Sequence, residues 1–139
     1  MRTVRVVGAI IVRDGQVLAA RRMGPDGKPG GWEFPGGKIE TGETPEQALV
    51  REIDEELGMK LTTLWLFDTV DYDYPDFHLS MDCLVCPVDA DASPELREHA
   101  EVKWLSRDEL LDVDWLGADR GVALKLAAFW DQLFSTVHL

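Results

Sequence analysis

Between Gly37 and Met59 the chain carries seven acidic residues (Glu40, Glu43, Glu46, Glu52, Asp54, Glu55 and Glu56) against two basic ones, Lys38 and Arg51. The same stretch is punctuated as a helix. Thr44 suits the N-cap, Pro45 the first helical position, and Gln47, three residues after the cap, completes a capping box. Gly58 is placed to end it. At about 100° per residue, Glu52, Glu55 and Glu56 fall on one face, while Leu49, Val50, Ile53 and Leu57 form a neighbouring apolar face that can dock on a sheet. Carboxylates three and four apart repel by a few tenths of a kcal/mol per pair, roughly, even in water. A solvated acidic face is one explanation, but such faces are usually interleaved with Lys or Arg, and here only Arg51 lies close. The other is a site for a hard divalent cation, magnesium or manganese, held by clustered oxygens with places left for water and phosphate. A cation there would neutralise phosphate charge, activate water and polarise phosphorus.

Such a helix needs a sheet to dock on, and the flanking sequence supplies strands. Thr3 to Asp14 is apolar on both faces at its centre (Val6, Gly8 and Ile10; Val7, Ala9 and Ile11), as in a strand covered on both sides. Asp14-Gly15 signals a hairpin, returning as Gln16 to Arg22. Met23 to Gly31 is rich in glycine and proline and reads as a loop; Trp32 to Phe34 is a short extended piece stopping at Pro35-Gly36-Gly37. After the helix, Leu61 to Tyr74 and Phe77 to Val88 read as long strands around a Pro75-Asp76 turn, followed by a polar loop from Asp89 to His99. Glu101 to Leu105 is a short strand, Ser106 to Glu109 a capped helical turn, and Asp119 to Leu133 a last helix with Val122, Leu126, Phe129, Trp130 and Leu133 at helical spacing. The fold class is α/β, with a mixed sheet.

The length of 139 residues fits one domain, residues 1–139, with neither internal repeat nor linker. At 45% apolar with five tryptophans it supports a core without a disulfide or structural metal. The net charge of −12 argues against a nucleic acid polymer or an anionic membrane as partner, though not against a small polyanion if a metal supplies positive charge. The apolar run Val6 to Val12 is too short to span a bilayer and no leader sequence is visible, which points to a cytoplasmic protein. Cys83 and Cys86 are three apart in a strand, so their sulfurs face opposite ways and read as core cysteines rather than a shared ion site.

The spacing Gly37, five residues, Glu43, seven residues, Arg51-Glu52-Ile53-x-Glu55-Glu56-x-Gly58-Met59 matches every fixed position of the Nudix box. Arg21-Arg22, Trp32 to Lys38, Pro75 to His78 and Trp104 extend the likeness over nearly the whole length. The chain thus resembles the Nudix hydrolases, in particular the MutT-type and CTP pyrophosphohydrolases. The resemblance implies an α/β/α sandwich with a catalytic loop-helix-loop, and an enzyme cleaving nucleoside triphosphates to monophosphate and pyrophosphate by attack of an activated water on the β-phosphorus. It implies Mg2+, with Mn2+ able to substitute, held by Glu52, Glu55, Glu56, the Gly36 carbonyl and Glu98, the glutamate six residues before Trp104; Glu95 and Glu101 are rivals for that last place. Arg51 would orient the helix carboxylates by bidentate pairing and Glu43 would tie down the loop, with Glu52 or Glu98 as base. The same likeness assigns the substrate to Arg22, Phe34, Lys38, Phe77 and Asp119, in a monomer or homodimer.

The base must be read outside the metal site. In similar enzymes an Asn or Asp near the start of the last helix bonds the base, and here Asp119 lies there, although an Asp would also serve as the helix N-cap. An ionised Asp only accepts hydrogen bonds and complements an exocyclic amino group such as cytosine N4. Phe77 stands where the oxidised-guanine enzymes resembled here carry an arginine. Both residues favour CTP, dCTP or 5-modified dCTP over 8-oxo-dGTP. A nucleotide sensor without hydrolysis and a dinucleotide hydrolase are the rivals, disfavoured by the intact glutamate set and by a chain that opens almost directly on its first strand. His78, His99 and His138 show no ligand spacing.

Overall fold

The computed structural model describes residues 1–24, 26–27 and 29–137; Pro25 and Lys28 in the glycine-rich loop, and His138 and Leu139, lie outside the described residues. Strand β1 (Arg2–Arg13) turns through Asp14 and Gly15 into β2 (Gln16–Met23). Both turn residues have positive φ, 50° and 73°, the combination that matches the twist of a two-residue hairpin. Then follow β3 (Pro29–Glu33), β4 (Gly36–Lys38), α1 (Pro45–Leu57), β5 (Trp65–Asp73), β6 (Phe77–Pro87), β7 (Glu101–Leu105), α2 (Gly117–Ala128) and α3 (Trp130–Val137). A single tighter helical turn at Arg107–Glu109 carries the expected capping box.

The strands form one mixed sheet in the order β3-β2-β1-β6-β5, with β4 on β1 and β7 on β2. Strands β1 and β6 are parallel from Arg2 opposite Phe77 to Val12 opposite Pro87. The remaining strand pairs are antiparallel. Alternation along β1 sends Ile10 and Val12 to one face, packed with Val122, Leu126 and Trp130 of the C-terminal helices. Val7, Ala9 and Ile11 go to the other, against Leu49, Ile53 and Leu57 of α1. This is the three-layer α/β/α sandwich, its central strand apolar on both faces because both are covered. Cys83 and Cys86 are buried and free, one in each layer, as strand alternation requires. Among the described residues no helix is long and apolar enough to cross a membrane.

Several boundaries differ from those read in the sequence: β3 begins at Pro29, inside the stretch read as a loop, and α2 begins at Gly117, two residues before Asp119. Gly36–Lys38, expected only as a stop, is a strand in its own right, paired to β1. Residues 61–64 are not strand: Leu61 is buried beneath α1 instead of entering the β5 ladder, which begins at Trp65 opposite Val85. The last helix breaks at Phe129 (φ −105°, ψ 14°), which is 48% exposed, so that Trp130 can turn inward and stack on Phe134 at 4.2 Å.

Candidate active site

Two glycines bring β4 and α1 together. In the β1–β4 ladder, Gly8 lies opposite Gly36 and Val7 opposite Gly37. A Cβ at Gly36 would overlap the Val7 carbonyl oxygen, and one at Gly37 would sit 2.6 Å from Glu52 Oε2. The requirement at both is space and not an unusual φ. Helix α1 starts where its signals say: Thr44 Oγ1 accepts from Gln47 N (3.1 Å), and Gln47 Oε1 accepts from Thr44 N (2.9 Å). Gly58 closes the helix in the left-handed region at φ 64°.

Arg51 ties this assembly together. Its Nε and Nη2 donate to the two oxygens of Glu43 at 2.8 and 2.9 Å, so the bidentate partner is Glu43 and not a helix carboxylate. Nη1 donates to Glu52 Oε1 (2.8 Å) and reaches Glu55 Oε2 at 3.5 Å, while Nη2 also donates to the Lys38 carbonyl. Glu43 in turn accepts from Glu40 N, and the Arg51 fork holds its carboxyl down at about 2. The loop before α1 is thereby stitched to the helix.

Glu56 has no such counter-charge among the described residues. Burial first, then repulsion from Glu52, Glu33 and Glu98, pushes its carboxyl up to about 8, and it shares a hydrogen bond with Glu98. Its Oε2 is buried without a partner. Hard oxygens near one another suit a divalent ion, and Glu56 and Glu98, with Glu52 close enough to repel Glu56, are the candidate donors. Among the described residues no three carboxylate, His or Cys side chains already close into a cage. That is compatible with magnesium, which keeps several of its own waters.

Glu56 and Glu98 line a cavity of about 520 Å3, together with Gly36, Arg22, Phe34, Phe77 and Asp119. These residues are scattered in the sequence from Arg22 to Asp119, and the fold brings all of them to one concave surface. Glu95 pairs with Arg97 and Glu101 with Arg21, and neither lines the cavity, so of the three rivals Glu98 is the one positioned there. Arg51, Glu52, Glu55 and Lys38 lie outside the lining; Glu52 abuts Gly37, which belongs to it, and Glu55 is exposed.

Asp119 is not the N-cap of α2. That position is Leu116, without a side-chain cap, and Asp119 sits within the first turn. The segment before α2 zips onto β3: Trp32 N donates to Asp114 O (3.0 Å) and Leu116 N to Trp32 O (2.8 Å). That brings Asp119 Oδ1 to 2.9 Å from Phe34 N, at only 7% exposure. Burial pushes its carboxyl up to about 7, opposed by the Phe34 N–H and Arg22 and reinforced by Glu33. Phe34 is both core and cavity wall, stacked on Trp115 at 4.5 Å.

Glu33, Tyr74 and His99 also line the cavity, and sequence reasoning had passed over them. His99, left without a role by its spacing, is buried and bonded through Nε2 to Glu33 Oε2 at 3.0 Å. Its adjacency to Glu98 was the available signal. Tyr74 stacks on Phe77, and its hydroxyl accepts from Ala118 N (3.3 Å), supplying the missing cap of α2 from a distance.

The pattern of the NUDIX domain matches residues 1–126. A Mycobacterium tuberculosis protein named "Putative 8-oxo-dGTP diphosphatase 2" is 38% identical over 136 residues, covering 96% of this chain and 94% of its own. The CTP pyrophosphohydrolase of Escherichia coli K12 is 35% identical over 131 residues, 86% of this chain and 87% of its own. Among solved structures, the E. coli ORF135 protein superposes with a TM-score of 0.82 at 32% identity, over 94% of this chain and 92% of that one.

Proposed function

Since this chain belongs to the Nudix family and is a nucleotide hydrolase, we propose that it cleaves cytosine nucleoside triphosphates (CTP, dCTP or 5-modified dCTP) to monophosphate and pyrophosphate with Mg2+, for which Mn2+ can substitute. The observation that carries the cytosine reading is Asp119. It stands in the cavity wall with one oxygen held by the Phe34 N–H, and as a carboxylate it accepts from an exocyclic amino group. Phe34 and Phe77 supply apolar surface for the base, and Arg22 a cation for phosphate or base.

Glu52, Glu55, Glu56 and Glu98, with the Gly36 carbonyl, would hold the cation. Bound there, a divalent cation neutralises phosphate charge and makes water a better nucleophile. Arg51 keeps Glu52 in place through its 2.8 Å bond while Glu43 fixes Arg51. When water attacks the β-phosphorus, a new P–O bond forms and the bond to the α,β-bridging oxygen breaks. Glu52 or Glu98 takes the proton.

Oxidised purine triphosphates are the second reading. Asp119 titrating at about 7 presents a protonated fraction near neutrality, which donates a hydrogen bond as such a base requires. Pyrophosphate release across normal, 5-methylated and oxidised nucleoside triphosphates separates the two. The highest kcat/KM is expected for a cytosine nucleotide, and Asp119→Asn should move preference away from it. An unchanged profile in that variant removes the base-reading role. No turnover of any member by the parent would favour a sensor or a dinucleotide hydrolase instead.

A further inference from the structure

Two buried side-chain polar atoms lack partners among the described residues, Glu56 Oε2 and His99 Nδ1, and both belong to residues lining the cavity. The carboxylate is accounted for by a cation. The histidine is not. Resting on the reading of this cavity as the nucleotide site, we propose that His99 is a positioning residue that acts through Glu33 to fix Arg22 at the substrate.

The three side chains form one chain running inward from the surface. Arg22 Nε forms an ion pair with Glu33 Oε1 at 2.9 Å, and Glu33 Oε2 meets His99 Nε2 at 3.0 Å. Exposure falls along it, from 63% at Arg22 to 14% at Glu33 and 5% at His99. Arg22 comes from β2, Glu33 from β3, and His99 from the loop before β7, so only the fold joins them. A carboxylate oxygen accepts, so Nε2 donates in this bond, and Nδ1 is left without a partner among the described residues. A buried polar atom without a partner costs stability, and an apolar side chain filling that space would not incur it. What the histidine supplies is therefore the bond to Glu33.

That bond matters because Glu33 lies between two other acids. Its charge raises the pKa of both Glu56 and Asp119, so it is within electrostatic reach of the cation site and of the base reader. Held at both oxygens, Glu33 is kept from turning toward either. The ion pair at Nε also restrains the Arg22 guanidinium in the cavity wall, where it can meet an anionic or carbonyl oxygen of the nucleotide. The device sets how well the nucleotide is held, not the rate of bond cleavage.

Two isosteres test this directly. In His99→Gln the amide nitrogen falls near the place of Nε2, whereas in His99→Asn it falls near Nδ1 and cannot reach Glu33. Steady-state kinetics on the preferred triphosphate should give parent-like KM for H99Q. For H99N, KM should rise on the order of tenfold while kcat stays within about twofold. In an Arg22→Ala background, H99N should add nothing, since the group it positions is gone. Melting temperatures establish that each variant is folded, and a role in stability alone would lower Tm without the split between KM and kcat. Equal KM values for H99Q and H99N, or full additivity of H99N with R22A, overturn the proposal while the parent's turnover leaves the functional reading intact. A parent without turnover on any nucleotide overturns both.

Discussion

Glu56 and Asp119 show how position, more than residue type, sets chemistry. Each is a carboxyl group that burial moves well above its ordinary value, Glu56 from 4.5 to about 8 and Asp119 from 3.8 to about 7. In the metal-free protein the folded state then binds more protons than the unfolded chain between those limits. Stability contributed by these two groups is therefore greatest below the ordinary carboxyl range and is lost progressively as pH rises to about 8. Glu56→Gln should flatten this decline, so that the variant gains on the parent in melting temperature as pH is raised; a parallel decline would show that Glu56 is not the group responsible. Magnesium should raise the melting temperature more at about pH 8 than at about pH 5, because at low pH it must displace protons from the same oxygens. For activity, folded Glu52→Gln and Glu56→Gln proteins should each lose on the order of 100-fold or more in kcat. Retention of parental turnover by either would remove that residue from the site. The spacing of Glu52, Glu55 and Glu56 was legible in the sequence because a helix makes it local. The raised pKa values were not, since the desolvation comes from residues far away in the chain.

Among the elements, α1 was the most legible, because Thr44, Pro45, Gln47 and Gly58 carry its boundaries in their own side chains and backbone preferences. Thr44→Ala should cost about 1 kcal/mol in denaturant unfolding by removing the bond its hydroxyl accepts from Gln47 N. Strand β4 was the least legible: three residues with two glycines have no β-propensity, and their pairing is imposed by β1. Gly37→Ala tests that element. Its methyl would meet Glu52, whose carboxylate must shift, so activity should fall by roughly the tenfold or more typical of disturbed support for metal ligands. Rotation of Glu52 relieves the contact, so the melting temperature should fall by much less than a core defect would cause; a collapse of the fold would show that the glycine serves backbone packing alone. The break at Phe129 was likewise invisible to a pattern of helical spacing, since that pattern cannot tell one helix from two in succession that bury Leu126 and Trp130 on the same core.

For the whole molecule, the governing quantity is a net charge of −12 in an enzyme whose substrate is itself an anion. Self-repulsion of that size destabilises the compact state, and salt screens it. Raising monovalent salt should increase the melting temperature by about 2–4 °C for each kcal/mol of repulsion relieved in a chain of this length. Insensitivity to salt would mean that ion pairs such as those of Arg51 already offset the excess. By itself the sequence determined the two-faced central strand and the capped carboxylate helix, because each is written in residue spacing over a few turns or a single strand, and that spacing carried the likeness that implied the reaction class. Only the tertiary structure decided that Glu98 and not Glu95 or Glu101 faces the cavity, that Asp119 is held by Phe34 N and not used as a cap, and that Glu33 and His99 stand behind Arg22. Those outcomes rest on burial and on hydrogen bonds between segments up to 85 residues apart, which no local pattern encodes. The carboxylate helix thus carries the motif of a nucleotide hydrolase, and the packing of β3, α2 and the loop before β7 decides what is presented to it.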